Sequence, residues 1–202
     1  MSATYRYFAE PHAFAHYSPM PRRCNVCGRV ALGYHGPFAG AGTGHIEFVC
    51  DDCLASGRLA ELGASLNEGD AEALEEQLRV LHPELAEDEI ARLVHERSAE
   101  LEQRTPAMVT WQGFFWPAHH GDYCRYIKEV GQRDLVTLAP DGDGFAYFRA
   151  CCRNLYGAEH AREVWESMRP DAPRDSRTAY STGFYLFQCL TCGTHIIMWD
   201  AD

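Results

Sequence analysis

Lysine is almost missing from this chain. Of its 18 basic residues only Lys128 is a lysine, and 29 acidic residues leave a formal charge of -11 over 202 residues. A surface of that sign repels a phosphate backbone, so wrapping a nucleic-acid duplex is disfavoured from the outset. Long apolar runs are missing too. The longest uncharged stretch, 178–199, is crowded with Thr, Ser, Gln, Gly and His, which suits strands and a turn and speaks against membrane insertion. The first residues, Met-Ser-Ala-Thr-Tyr-Arg-Tyr-Phe, carry no apolar core of a signal peptide, so the expected location is the cytoplasm, where thiols stay reduced. No repeat or low-complexity tract appears, and 46% apolar with 23% charged residues excludes wholesale disorder, collagen and coiled coil.

Catalytic signatures are absent as well. There is no H-E-x-x-H, no H-x-E joined to P-C-x-x-C and no G-x-S-x-G. The glycine-rich run Gly40-Ala41-Gly42-Thr43-Gly44 lacks a following Lys-Ser/Thr and reads as a hairpin loop, not a phosphate cradle.

Cysteine is what the chain has in excess: nine residues, an odd number that fits a disulfide framework badly and points to metal. Cys24-Asn25-Val26-Cys27 and Cys50-Asp51-Asp52-Cys53 are separated by 22 residues. Each pair folds as a tight knuckle aiming two thiolates at one ion, and four thiolates complete a tetrahedral zinc shell. Gly28 suits the knuckle, where the backbone folds back under the metal with positive φ. The alternating residues 44–49 read as a strand before the second pair, and a helix is expected just after Cys53. Knuckle, hairpin and a pair of ligands at a helix start form a treble-clef or zinc-ribbon-like layout. The competing reading, two redox dithiols, lacks the βαβ context of a thioredoxin-type site.

A third pair, Cys189-Leu190-Thr191-Cys192 followed by Gly193, has no fourth partner pair. Its partners are expected in Trp116-Pro117-Ala118-His119-His120-Gly121-Asp122-Tyr123-Cys124. His120 and Cys124 stand at a chelating spacing and would complete a shell with Cys189 and Cys192, with His119 able to replace His120. Adjacent histidines ordinarily point apart, so one of the two is expected to ligate. If His120 did not ligate, three thiolates with Asp122 or His119 nearby would leave a metal position for water, the arrangement that a hydrolytic zinc needs. Cys151 and Cys152 are adjacent, cannot easily face one metal, and read as core thiols before reactive ones. Trp111, Phe114, Phe115 and Trp116 read as the core of a small metal module before a base-stacking platform.

Between these segments the composition changes. Residues 58–104 hold 13 acidic and 5 basic residues, most of the chain's net charge. Asp70 is placed to cap a helix with Leu74, Leu78 and Leu81 on one face, ending near Pro83. A second helix starts near Asp88 and Glu89, presents Ile90, Leu93, Val94 and Leu101, and ends before Thr105-Pro106. The acidic residues of this segment solvate an amphipathic helical pair, or else dock a basic partner through Glu72, Glu75, Glu76, Glu84, Glu87, Asp88 and Glu89. Further on, 184–188 reads as a strand and 158–168 as a helix with Ala161, Trp165 and Met168 on one face. The expected fold class is α+β: an N-terminal zinc module (1–60), an acidic helical insert (61–104) and a second zinc-bearing α+β module (105–202).

These motifs in this order resemble the CbrC family, bacterial proteins of about this size that carry three C-x-x-C motifs. The resemblance rests on Cys24/Cys27, Cys50/Cys53 and Cys189/Cys192, with Phe8-Ala9-Glu10-Pro11, Tyr34-His35-Gly36-Pro37-Phe38, Arg104-Thr105-Pro106, Trp111-Gln112 and the segment from Trp116 to His119. Two departures stand out. The family commonly has His-Cys at His119-His120, which puts a different donor at a ligand position, and Pro-Trp where this chain has Asp51-Asp52. The resemblance implies zinc binding and, from a member linked to colicin tolerance, an organism-level outcome without a catalytic residue to carry over. The leading expectation is a cytoplasmic, non-enzymatic protein holding two zinc ions that binds a protein partner such as a basic bacterial toxin domain. A zinc-dependent hydrolase and a nucleic-acid-binding zinc ribbon are the alternatives.

Overall fold

Two amphipathic helices and a series of short strands closed by cysteine and glycine turns cannot share one simple layer. In a computed structural model describing residues 3–40, 42–110, 112–172 and 181–201, they form an α+β fold divided into two units. The first comprises Met1–Val109, Phe115–Arg125 and Cys189–Cys192; the second comprises Thr110–Phe114, Tyr126–Gln188 and Gly193–Asp202. The acidic segment 61–104 thus shares a unit with residues 1–60 and with the His119–Cys124 and Cys189–Cys192 segments. Trp111 lies outside the described residues.

The first unit opens with a single helical turn, α1 (Pro11–Phe14), started by its proline. Strand β1 (Tyr17–Arg23) pairs antiparallel with β2 (Val30–His35), and β2 with β3 (Phe48–Cys50). Gly33 permits the second pairing, because a Cβ there would stand 2.2 Å from the Val49 carbonyl oxygen. The strand expected over 44–49 is confined to its end: Thr43–His45 form a 3-10 turn and pairing begins at Phe48. The Asn25 side chain takes the N–H groups of Glu47 and Phe48 at 3.1 and 3.0 Å, so a side chain replaces a ladder partner there. Helix α2 (Asp51–Ala55) follows β3 at once, with Cys50 as its N-cap, a little earlier than expected.

Helix α3 (Ala71–Leu81) starts where its cap dictates: Asp70 accepts from the Ala73 N–H at 3.0 Å. Helix α4 (Glu87–Arg104) stops before Thr105-Pro106, and Glu89 accepts from the Ala86 N–H at its start. Leu74, Leu78, Ile90 and Leu101 are buried, while Leu81 is half exposed. The unit ends in a minimal hairpin, β4 (Ala118–His119) and β5 (Asp122–Tyr123).

The second unit is a three-stranded sheet in the order β6 (Arg125–Glu129), β7 (Thr182–Gln188), β8 (His195–Ala201), with β7 and β8 antiparallel over seven pairs from Thr182↔Ala201 to Gln188↔His195. Helices α5 (Gln132–Leu138), α6 (Gly144–Cys151) and α7 (Ala158–Ser167) complete it. Val130, Leu135, Phe148, Val164, Met168, Phe184, Leu186 and Ile197 form its core, and Trp165 packs against them. Cys151 and Cys152 lie half-buried at this core, and burial pushes both thiols above the usual cysteine range, as expected of packing residues. Phe114 meets Tyr185 at a tilt and Phe187 edge-on, consistent with a core role, whereas Phe115 in the first unit is exposed. No helix among the described residues is long and apolar enough to cross a membrane.

Candidate metal centres

The first centre grows from β1. The chain leaves Arg23, turns at Cys24–Cys27 and returns as β2, with Gly28 at φ +72° closing the turn and its N–H on the Cys24 carbonyl at 2.9 Å. Asn25 ties this knuckle to β3 from both sides, donating its backbone N–H to the Phe48 carbonyl at 2.9 Å besides accepting two N–H groups. Cys50 and Cys53 arrive on the N-cap and first turn of α2. The four sulfurs of Cys24, Cys27, Cys50 and Cys53 lie within 4.8 Å of one another, and Cys27 to Cys50 measures 3.8 Å. A tetrahedral ion with metal–sulfur bonds of about 2.3 Å has sulfur–sulfur edges of about 3.8 Å, so the donor set fits.

Hydrogen bonds to sulfur surround this centre. The Cys50 N–H donates to Cys24 at 3.3 Å and Arg58 to Cys53 at 3.6 Å. Arg29, through its side chain and then its backbone N–H, brings the Cys27 thiol down to about 6. Burial acts the other way on Cys50 and Cys53 and raises both. Asp51 and Asp52, which add negative charge between the ligands, are engaged: Asp51 accepts from Tyr5 at 2.6 Å, and Asp52 meets Arg29 at 3.2 Å.

The second centre is built on two turns. Cys189 and Cys192 repeat the first knuckle's geometry, with Gly193 at φ +72° as at Gly28, and the Thr191 N–H donates to the Cys189 sulfur at 3.4 Å. Facing them is the β4–β5 loop, His120-Gly121, both with positive φ (55° and 67°), the two-residue turn that matches hairpin twist. His119, His120, Cys189 and Cys192 form the second group of potential ligands. Cys189 Sγ lies 3.6 Å from His120 Nδ1, and Cys192 Sγ lies 3.7 Å from His119 Nδ1. Metal–nitrogen bonds of about 2.0–2.1 Å beside metal–sulfur bonds of about 2.3 Å give tetrahedral edges of about 3.6 Å, so this set fits as well. Nδ1 of both rings faces the site.

This grouping departs from the expected Cys124 set in two ways. Both histidines belong to it, with ring centroids 4.4 Å apart, because the left-handed backbone at His120 turns its side chain to the same side as that of His119. Cys124 does not belong to it. The spacing from His120 to Cys124 chelates in a tight loop, but in a hairpin it separates tip from base. At the base Cys124 is fully buried, with its N–H on the Pro117 carbonyl at 2.9 Å and its carbonyl accepting from the Trp116 indole at 2.7 Å.

The acidic helices carry the histidine turn. Gln77 accepts the Gly121 N–H at 3.0 Å and donates to the Ala118 carbonyl at 3.1 Å, and Arg97 donates to the Gly121 carbonyl. A Cβ on Gly121 would stand 3.1 Å from Leu78 and 3.2 Å from Leu81. Asp122 fastens the other side, accepting from Tyr7 at 2.7 Å and pairing with Arg6. Sequence reasoning did not single out Asn25, Gln77 or Arg97. A polar residue beside a knuckle hints at Asn25, but nothing local marks the other two, since their partners lie 41 and 44 positions away for Gln77 and 24 for Arg97.

Of the acidic residues expected to dock a partner, Glu72, Glu76, Glu84, Glu87, Asp88 and Glu89 are exposed and Glu75 is half-buried. Arg79 pairs with Glu75 at 2.5 Å and with Glu87 at 2.8 Å, and Glu84 lies 3.4 Å from His82. No cysteine among the described residues is in a disulfide.

No solved structure matches this chain. A family model does, over residues 3–201, that is, across both metal-compatible groups and the acidic helices between them. The chain belongs to the uncharacterised protein family UPF0167.

Proposed function

We propose that this is a non-enzymatic, cytoplasmic binding protein built on two zinc ions, which recognises a basic protein partner through the acidic face of α3 and α4. The observation that carries the zinc reading is the gathering of each donor quartet within 4.8 Å, with Cys27–Cys50, Cys189–His120 and Cys192–His119 at 3.6 to 3.8 Å, the edge length of a tetrahedral zinc shell. Cys24, Cys27, Cys50 and Cys53 would hold one ion; His119, His120, Cys189 and Cys192 would hold the other. A β hairpin followed by two ligands at a helix start supports a treble-clef description of the first module. Each quartet supplies a full set of protein donors, which favours a structural scaffold over a hydrolytic centre with a water position.

The partner reading rests on charge and exposure. Glu72, Glu76, Glu84 and Asp88 are exposed, and Val80, 75% exposed, supplies an apolar contact on the same helix pair. A field of one sign speeds encounter with an oppositely charged protein and is weakened by salt. The resemblance to CbrC proteins makes a basic toxin domain the first candidate to test. Reversing Glu72, Glu76, Glu84 and Asp88 to lysine should slow association with such a domain by about tenfold at low salt, with unchanged circular dichroism. Unchanged association rates would reject the acidic face as the contact.

A further inference from the structure

Solvent reaches the two centres to different extents. In the first, Cys24, Cys50 and Cys53 are each 1% exposed and only Cys27 is half-buried, with N–H donors from Cys50, Arg29 and Arg58 approaching the sulfurs. In the second, Cys189 is 2% exposed, but His119 is half-buried, and His120 and Cys192 are exposed. The exposed edge therefore carries one imidazole and one thiolate. Charge differs as well: two thiolates and two neutral imidazoles cancel a divalent ion, whereas four thiolates leave an excess of negative charge that holds the ion more firmly. Metal passes between donor sets when an incoming donor joins the shell before an outgoing one leaves, and that step needs an accessible edge. The support beneath does not depend on an ion, because Gln77, Arg97 and Asp122 hold the histidine turn through hydrogen bonds and an ion-pair network.

We propose that the second centre is a metal-exchange site. It takes up and hands over a thiophilic divalent ion to a molecule that presents its own thiolate or imidazole donors, while the first centre keeps its ion. The inference rests on the two-zinc reading above. With an ion bound, the exposed donors His120 and Cys192 would be the first that an incoming thiolate or imidazole could replace, followed by half-buried His119, and buried Cys189 would be the last. Each exchange would swap one donor for another with the ion divalent throughout, so no electron is exchanged.

The test is zinc release from the full chain loaded with two equivalents, mixed in stopped flow with excess of the chromogenic chelator pyridylazo-resorcinol. One equivalent should leave at least about tenfold faster than the other. Cys192→Ser and His120→Asn, the latter chosen because asparagine tolerates the left-handed backbone, should each abolish the fast equivalent and leave the slow one intact. Two ions leaving in one slow phase would overturn the exchange inference while the two-zinc reading stood. A fast equivalent that survived in both variants would overturn it too. A chain that takes up fewer than two ions would remove the two-zinc reading, and the inference with it.

Discussion

His120 is one of two non-glycine residues among the described residues with positive φ, and that single backbone choice decides the composition of the second centre. A side chain with a β-carbon in this conformation costs roughly 1 kcal/mol or more, which glycine avoids. His120→Gly should therefore leave the metal-free protein as stable as the parent or more stable by about 1 kcal/mol, measured by denaturant unfolding in chelator. A clear loss of stability would mean that the imidazole has a packing role. Gln77→Ala removes both bonds to the turn and should weaken the second ion by about tenfold or more while leaving the first unchanged, read by competition with a zinc chelator.

A different residue predicts the pH response of the second unit. Burial, and then the neighbouring Asp200 carboxylate, raise Glu129 from 4.5 to about 7. The folded state thus holds a proton that the unfolded state releases earlier. Stability is full below the unfolded value and falls as pH rises toward and through the folded one. Glu129→Gln should flatten that fall and leave the variant more stable than the parent above the folded value, on the order of 1 kcal/mol after solvent screening. An identical pH profile in both proteins would contradict this account.

At the scale of elements, local chemistry made much of the fold readable. The Asp70 cap and the leucine spacing locate α3, Thr105-Pro106 ends α4, and the repeated Cys-x-x-Cys-Gly sequence gives two knuckles whose glycines have the same φ of +72°. What sequence could not supply is what one element does for another. Periodicity shows that Leu78 faces a core, but not that it packs beneath Gly121 and supports the histidine turn. Spacing places His120 and Cys124 near each other, but only the hairpin shows which lies at the tip. Asn25 shortens β3 by taking its N–H groups, which alternation of apolar residues cannot reveal. Leu78→Ala should cost about 2–4 kcal/mol and also loosen the second ion, coupling helix packing to metal affinity. Destabilisation without any effect on the second ion would separate the helices from the site.

Over the whole molecule, the -11 charge acquires a location: the acidic pair α3 and α4 belongs to the unit that contains both metal-compatible groups. A partner held by that face would meet a surface whose shape depends on Gln77 and Arg97, the same residues that secure the histidine turn. The central claim is that two ions are held and that His119 and His120 close the second shell. Native mass spectrometry of protein purified without added metal tests it most directly. Two zinc ions per chain are expected in the parent and in Cys124→Ala, and one in a variant carrying both His119→Ala and His120→Asn. Two ions in that double variant, or the loss of one in Cys124→Ala, would contradict the account.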